Sequence, residues 1–338
     1  MTDRRTDVNL EATATASPAT SATPDFDAAA NLDQLHAMLD AIQVKNGWNK
    51  PTPSLYPQPK QRFAGARWRY ADARAALHAA GRLVGTEWAE RRNLILANPV
   101  AGNDYPTVTT LVAAYQMVKA GETARSHRHT PNAMRVVLEA DDDTFTIVHG
   151  AKVPMLHGDV LLTPNWSYHG HSNESTREAY WIDILDAPLV QALGPMFFEH
   201  HPDQVEAADR IEPASPMRFA YADYLPRLLG TAPMAPGLRQ LELGVDRIDS
   251  FDRIATRLDA GADWAGEKST ASRILLVIDG HGHSTIGGQR FDWSGGDVLA
   301  VPSWMEHAHH ADQDAVILCV SDAPMLRALR WLRGADAG

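Results

Sequence analysis

Gly158-Asp159-Val160-Leu161-Leu162-Thr163-Pro164-Asn165-Trp166-Ser167-Tyr168-His169 returns without a gap as Gly296-Asp297-Val298-Leu299-Ala300-Val301-Pro302-Ser303-Trp304-Met305-Glu306-His307. Both copies read G-D-V-L-x-x-P-x-W-x-x-H, and the polar pair Asn165/Ser303 is a weaker further match. Self-similarity of this kind marks two copies of one structural unit. The flanking segments say what that unit is. NLILAN, TVTTLVAAYQMV, MRVVLEA, TFTIVHG, DVLLTP and YWIDIL precede or surround the first copy. RILLVID, HSTIGG, DVLAVP and AVILCV do the same for the second. Short runs rich in β-branched and aromatic residues, punctuated by Gly, Pro, Asn and Asp, describe an all-β sandwich or barrel rather than alternating β and α units.

Outward from the repeat, the chain divides as follows. Residues 1–30, rich in Ala, Thr, Ser and Pro, read as a flexible tail. Residues 31–90 form a helical N-terminal extension. It has an amphipathic segment at Asn31–Val44 and an alanine-rich one at Asp72–Gly85, separated by a proline-bearing stretch. The first β domain spans 91–195, a connector with some helix spans 196–240, and the second β domain spans 241–338. With 31 basic and 42 acidic side chains the formal charge is −11, which disfavours binding to nucleic acid. No apolar run of about 18 residues is present, so no membrane-spanning helix is expected. The N-terminus lacks the apolar core of a secretory signal, and the chain reads as soluble and cytoplasmic. The single cysteine, Cys319, rules out an internal disulfide framework and a multi-cysteine metal site.

The chemistry concentrates at Gly121-Glu122-Thr123-Ala124-Arg125-Ser126-His127-Arg128-His129. Side chains two apart in a strand share a face, so His127 and His129 point into one space while Arg128 points away. If both β segments close one barrel, His169 supplies a third nitrogen. Imidazoles suit iron, zinc, copper or nickel. Asp183, inside the apolar run Y-W-I-D-I-L, is a buried carboxylate that needs a partner, either in the site or as a structural pair with an arginine. Arg135 lies six residues past His129, an even spacing that keeps it on the metal-facing side of an uninterrupted strand, with Pro131 as a possible break. Trp166 and Trp304 read as core aromatics. His149, His157, His200, His201, His281, His283, His309 and His310 lack motif context and read as loop or surface residues.

These motifs resemble the two cupin signatures. Gly121, His127 and His129 meet the first, G-x5-H-x-H. Gly158, Pro164, His169 and Asn173 meet the second, with Trp166 in its usual glycine place. AGETARSHRHTPNAMRVVLEA, LLTPNWSYHGHSNES and DAPLV…FFE resemble more closely the bicupin gentisate 1,2-dioxygenases and their relatives acting on salicylates and 1-hydroxy-2-naphthoate. The similarity runs over roughly residues 85–335. It implies two double-stranded β-helix (jelly-roll) barrels behind the helical extension, and a homo-oligomer, commonly a tetramer. It implies Fe(II) held by His127, His129 and His169. The reaction implied is cleavage of an ortho-hydroxybenzoate between C1 and C2, with both atoms of O2 incorporated. Ala133 and Met134 stand where many cupins carry a ligating glutamate, which leaves a three-histidine set that a chelating dianion would complement.

By the same resemblance Arg135 is the inner substrate arginine and Arg91 a second, with Arg92 as rival. Gln116 lines the pocket, and His171 and Asp183 serve catalysis and its network. In the second barrel, aligning Leu258-Asp259-Ala260-Gly261 with the strand before the first site puts Glu267 and Ser269 in place of the histidine pair. Only His307 remains, and no iron is expected there, the contrary reading being a weaker metal on Glu267 and His307. Ile184-Leu185-Asp186-Ala187-Pro188-Leu189-Val190 differs from the gentisate enzymes' GLDIPLV, and Ala140 replaces a usual glycine. A 5-substituted salicylate therefore rivals gentisate as substrate. Two other classes stand against this reading, a non-catalytic ligand-binding bicupin and a cupin isomerase using another divalent metal.

Overall fold

The computed structural model describes residues 23–86, 89–244 and 248–334. Residues 1–22 of the expected tail lie outside the described residues. The chain divides into two units, residues 1–58 and 59–338. In the first, a 3-10 turn (Phe26–Ala28) precedes α1 (Leu32–Ala41). The Asn31 side chain caps that helix by accepting the Gln34 N–H at 2.9 Å.

The second unit begins with β1 (Ala66–Trp68), α2 (Tyr70–Leu83), β2 (Arg92–Ile95) and β3 (Val112–Val118). Then follow β4 (Thr123–His129), β5 (Ala133–Glu139), β6 (Thr144–Val148), β7 (Ala151–Pro154), β8 (Val160–Thr163), β9 (His169–Asn173) and β10 (Ala179–Leu185). After α3 (Ala187–Leu193) come β11 (Phe198–His200), β12 (Arg210–Ile211), β13 (Arg218–Phe219) and α4 (Tyr221–Leu229). The last part holds β14 (Leu238–Glu242), β15 (Asp252–Leu258), β16 (Asp263–Gly266), β17 (Arg273–Asp279), β18 (His281–Ile286), β19 (Gln289–Ser294), β20 (Val298–Val301), β21 (His307–Ala311), β22 (Ala315–Ser321) and α5 (Ala323–Ala328). One barrel is made of sheets β13-β8-β5-β10-β3-β2 and β11-β4-β9-β6-β7-β12. The other is made of β1-β20-β17-β22-β15-β14 and β16-β21-β18-β19.

The repeat turns out to be the joint between the barrels. Gly158 and Gly296 adopt φ of +78° and +86°, and a Cβ on either would stand 2.5 Å from the ring of Tyr221 or Tyr70. Asp159 then accepts the Tyr221 N–H and Asp297 the Tyr70 N–H, both at 2.8 Å, capping the first turns of α4 and α2. The Val-Leu pairs enter β8 and β20. Trp166 and Trp304 are not core residues. They sit in the left-handed region, at φ +59° and +62°, in the turn where the cupin signature carries glycine, and that turn leaves Trp166 exposed.

The exchange across this joint is reciprocal. β1, which precedes the first barrel, adds to β20 of the second, and β13, which precedes the second, adds to β8 of the first. The stretch expected as a connector thus contributes β11, β12 and β13 to the first barrel's sheets. One apolar core continues through both barrels, with Leu138 and Ile182 from one and Leu276 and Leu318 from the other. At about 1.5–3 kcal/mol for each large apolar side chain buried, that shared core makes the pair a single cooperative body. Among the described residues no helix is long and apolar enough to cross a membrane.

Candidate metal centre

Three imidazoles meet in the first barrel. His127 and His129 come from β4 and His169 from the start of β9, directly across the ladder from His127. Ring centroids lie 4.6 Å apart for His127 and His169 and 4.9 Å for His129 and His169, and one ligand atom from each ring falls within 4.8 Å of the others. Each Nδ1 faces a backbone carbonyl two residues away in sequence. The partners are Arg125 at 3.3 Å, Pro131 at 2.8 Å and Ser167 at 3.0 Å. A carbonyl only accepts, so each Nδ1 carries the proton and each Nε2 offers a lone pair to the shared centre. Burial lowers all three pKa values, that of His129 to about 4, so the rings are neutral and ready to ligate. The donor set suits a divalent transition metal.

A chain of polar side chains leads from this centre into the barrel. Arg135 pairs with Asp183, directly opposite it in the β5–β10 register, through Nε at 2.8 Å and Nη2 at 2.9 Å. Its Nη1 donates to Thr146 Oγ1 at 2.8 Å and to His171 Nδ1 at 2.9 Å. Because the guanidinium can only donate, His171 must carry its proton on Nε2, a buried atom with no hydrogen-bond partner among the described residues. Gln116 Nε2 donates to Asp183 Oδ2 at 2.5 Å, and Gln116 Oε1 accepts from Arg91 Nε. Among the described residues the terminal nitrogens of Arg91 have only a long ion pair, to Glu90 at 3.8 Å. Arg92 is committed elsewhere. It is buried against Glu122 and the Val84 carbonyl.

Arg135 does not share an uninterrupted strand with His129. β4 ends at His129, Pro131 falls between strands, and Arg135 arrives on β5 from the other sheet. Glu90 is a residue the sequence reading missed. Its carboxylate lies 3.4 Å from His127 Nδ1, 3.2 Å from Arg125 Nε and 3.6 Å from His200 Nδ1. Burial pushes its pKa up, but His127 and the neighbouring cations hold it below the usual carboxylate range.

The second barrel is built differently at each of these points. Across from His307 stands Gly266, one residue before Glu267, because β4 carries a bulge between Ala124 and His127 that β16 lacks. A Cβ there would come within 1.8 Å of the His307 ring. The cross-strand places of Arg135 and Asp183 are taken by Leu275 and Cys319. His309, expected at the surface, is buried and bonded to His307.

The cupin domain family matches residues 114–185 and 257–321, one stretch in each barrel. A 5-aminosalicylate 1,2-dioxygenase from Comamonas sp is 30% identical over 88% of this chain and 88% of its own. A gentisate 1,2-dioxygenase from Aquipseudomonas alcaligenes is 28% identical over 89% of this chain and 95% of its own. The crystal structure of a salicylate 1,2-dioxygenase variant from Pseudoaminobacter salicylatoxidans, in complex with gentisate, superposes with a TM-score of 0.83. It is 27% identical and covers 94% of this chain and 98% of that one. The chain is therefore a cupin protein with two barrels. More narrowly, it belongs to the gentisate and salicylate 1,2-dioxygenase family of ring-cleaving oxidoreductases.

Proposed function

We propose that this enzyme binds Fe(II) through His127, His129 and His169 and opens an ortho-hydroxybenzoate between C1 and C2 with O2. Gentisate or a 5-substituted salicylate would be the substrate. The observation that carries this is the meeting of three Nε2 lone pairs beside the Nε2–H of His171, a buried donor without a partner among the described residues, and the loosely paired end of Arg91. Iron bound there would supply the one-electron chemistry that lets dioxygen react with an aromatic ring. The remaining work falls to the protein. Arg91 takes the substrate carboxylate, which a guanidinium matches in two-point geometry. His171 donates its Nε2–H to a substrate oxygen and stabilises charge that develops there. Arg135, nearly saturated by Asp183, Thr146 and His171, acts chiefly by fixing the proton on His171 and adds positive charge at the substrate's side. Gln116 and Asp183 hold both arginines in place.

The reading carries with it a homo-oligomer, a tetramer by family resemblance, and a cytoplasmic enzyme. The test is anaerobic reconstitution with ferrous iron, followed by oxygen uptake on gentisate, salicylate, 5-amino-, 5-nitro- and 5-halosalicylates and 1-hydroxy-2-naphthoate. Turnover of at least one ring is expected, with the product's mass raised by both oxygen atoms. Silence across the panel with iron bound would reject the assignment.

A further inference from the structure

The second barrel keeps the repeat's histidine but places its proton on the opposite nitrogen. Trp293 Nε1 donates to Ser284 Oγ at 2.9 Å, and the Ser284 hydroxyl has one acceptor left among the described residues, His309 Nδ1 at 2.7 Å. His309 therefore carries its proton on Nε2, which lies 2.8 Å from His307 Nδ1 and donates to it. That leaves the proton of His307 on Nε2. This atom is buried and makes no hydrogen bond among the described residues, although the Glu267 main chain lies close enough to raise the ring's pKa. Burial holds His307 at about 4 and His309 well below its usual value, so both rings are neutral and carry one proton each, in the direction that gives the Ser284 hydroxyl an acceptor. His169 aims a lone pair at its centre. Its counterpart His307 aims an N–H.

That N–H belongs to the lining of a cavity of about 360 Å3 in the second barrel. The same cavity holds Arg273, whose guanidinium donates only to neutral oxygens, Ser269 Oγ at 3.2 Å and the Ala271 carbonyl at 3.4 Å. Among the described residues no carboxylate is within ion-pair distance of it. A buried donor without an acceptor is costly, and Arg273, which feels Asp252 and Asp322 only through space, makes no direct ion pair among the described residues; one bound anion would meet both groups. Trp264 and Ile254 supply an apolar wall, and Asp252 and Glu267, set against Arg273 and Arg327, leave the lining formally balanced and disfavour multiply charged ligands. The volume suits a benzoate-sized molecule.

We propose that the second barrel is a receptor for a small aromatic monocarboxylate, gripped by Arg273 and the Nε2–H of His307. The site needs no metal and stands independently of the assignment made for the first barrel.

Calorimetric titration of the iron-loaded enzyme with benzoate, under argon, tests this. Benzoate lacks the ortho hydroxyl needed to chelate iron. In a His127→Ala variant one binding event persists. In Arg273→Met and His307→Phe that event weakens by at least about tenfold, the scale of one charge-assisted hydrogen bond. His307→Gln, which keeps an N–H in place, binds within about threefold of the parent. Oxygen uptake by Arg273→Met at the parent's rate shows that the variant is folded. Unchanged binding in both Arg273→Met and His307→Phe, or complete loss in His127→Ala, would overturn the proposal.

Discussion

Arg135 and Asp183 face each other across neighbouring strands as a buried ion pair, and a cavity-facing histidine hangs on the far side of the arginine. Removing one partner of such a pair strands a charge away from water, a loss of about 3–5 kcal/mol. Asp183→Leu should therefore lower stability by that amount in chemical denaturation. The double variant Arg135→Met/Asp183→Leu should regain most of it, because no unpaired charge remains. Turnover should stay below about a hundredth of the parent's in both, since the single variant leaves Arg135 unanchored and the double removes the donor that fixes the proton on His171. Equal stability of single and double variants would show that the pair is not electrically buried.

Each of His127→Ala, His129→Ala and His169→Ala removes one of the three proposed ligands. Metal content after dialysis should fall to under a tenth of the parent's, roughly, and turnover with it, while unfolding by circular dichroism stays cooperative. Full turnover in any of the three would break the ligand set.

Glu90 acts on His127 from the side away from the metal. Glu90→Gln keeps the shape but withdraws the charge that raises the imidazole's basicity. Ferrous affinity should drop about 10-fold or more, read by competition with a chelator, with a smaller change in Tm. An unchanged affinity would reduce Glu90 to a partner of Arg125.

Asp322 gives a pH signature of its own. Burial raises its pKa to about 6, although Thr110 and the Ser272 N–H both donate to it. A carboxyl whose folded pKa lies above its unfolded one binds its proton more tightly in the folded state, so stability is lost as pH climbs from about 4 to about 6. Relative to Asp322→Asn, the parent should lose roughly 3 kcal/mol over that interval and nothing further above it. A gap that is constant with pH would mean the carboxyl titrates normally.

The three histidines were legible because a strand alternates faces and because the second motif occurs twice. Arg91, Gln116 and His171 came from resemblance, and Asp183 stood out as a carboxylate in an apolar run. Their linkage was not legible, since it depends on which strands lie side by side. Glu90 stood in plain view in the run Glu90-Arg91-Arg92 but reaches His127 only through the fold. The bulge in β4 has no sequence mark; carrying its count from Gly121 to His127 over to Gly261 lands on Glu267, whereas β16, which lacks the bulge, sets Gly266 across from His307. A shorter repeat also escaped notice. Arg67-Trp68-Arg69-Tyr70 and Arg218-Phe219-Ala220-Tyr221 occupy matching places, each pairing with the opposite barrel's Val-Leu strand. Two identities in four residues carry no weight until the contacts give them meaning.

That crossing of β1 and β13 makes each half answer to the other. Either barrel alone would keep an open sheet edge at β8 or β20, and its helix would lose the carboxylate that caps it. Severing the chain between them should return a mutually dependent couple rather than two self-sufficient proteins.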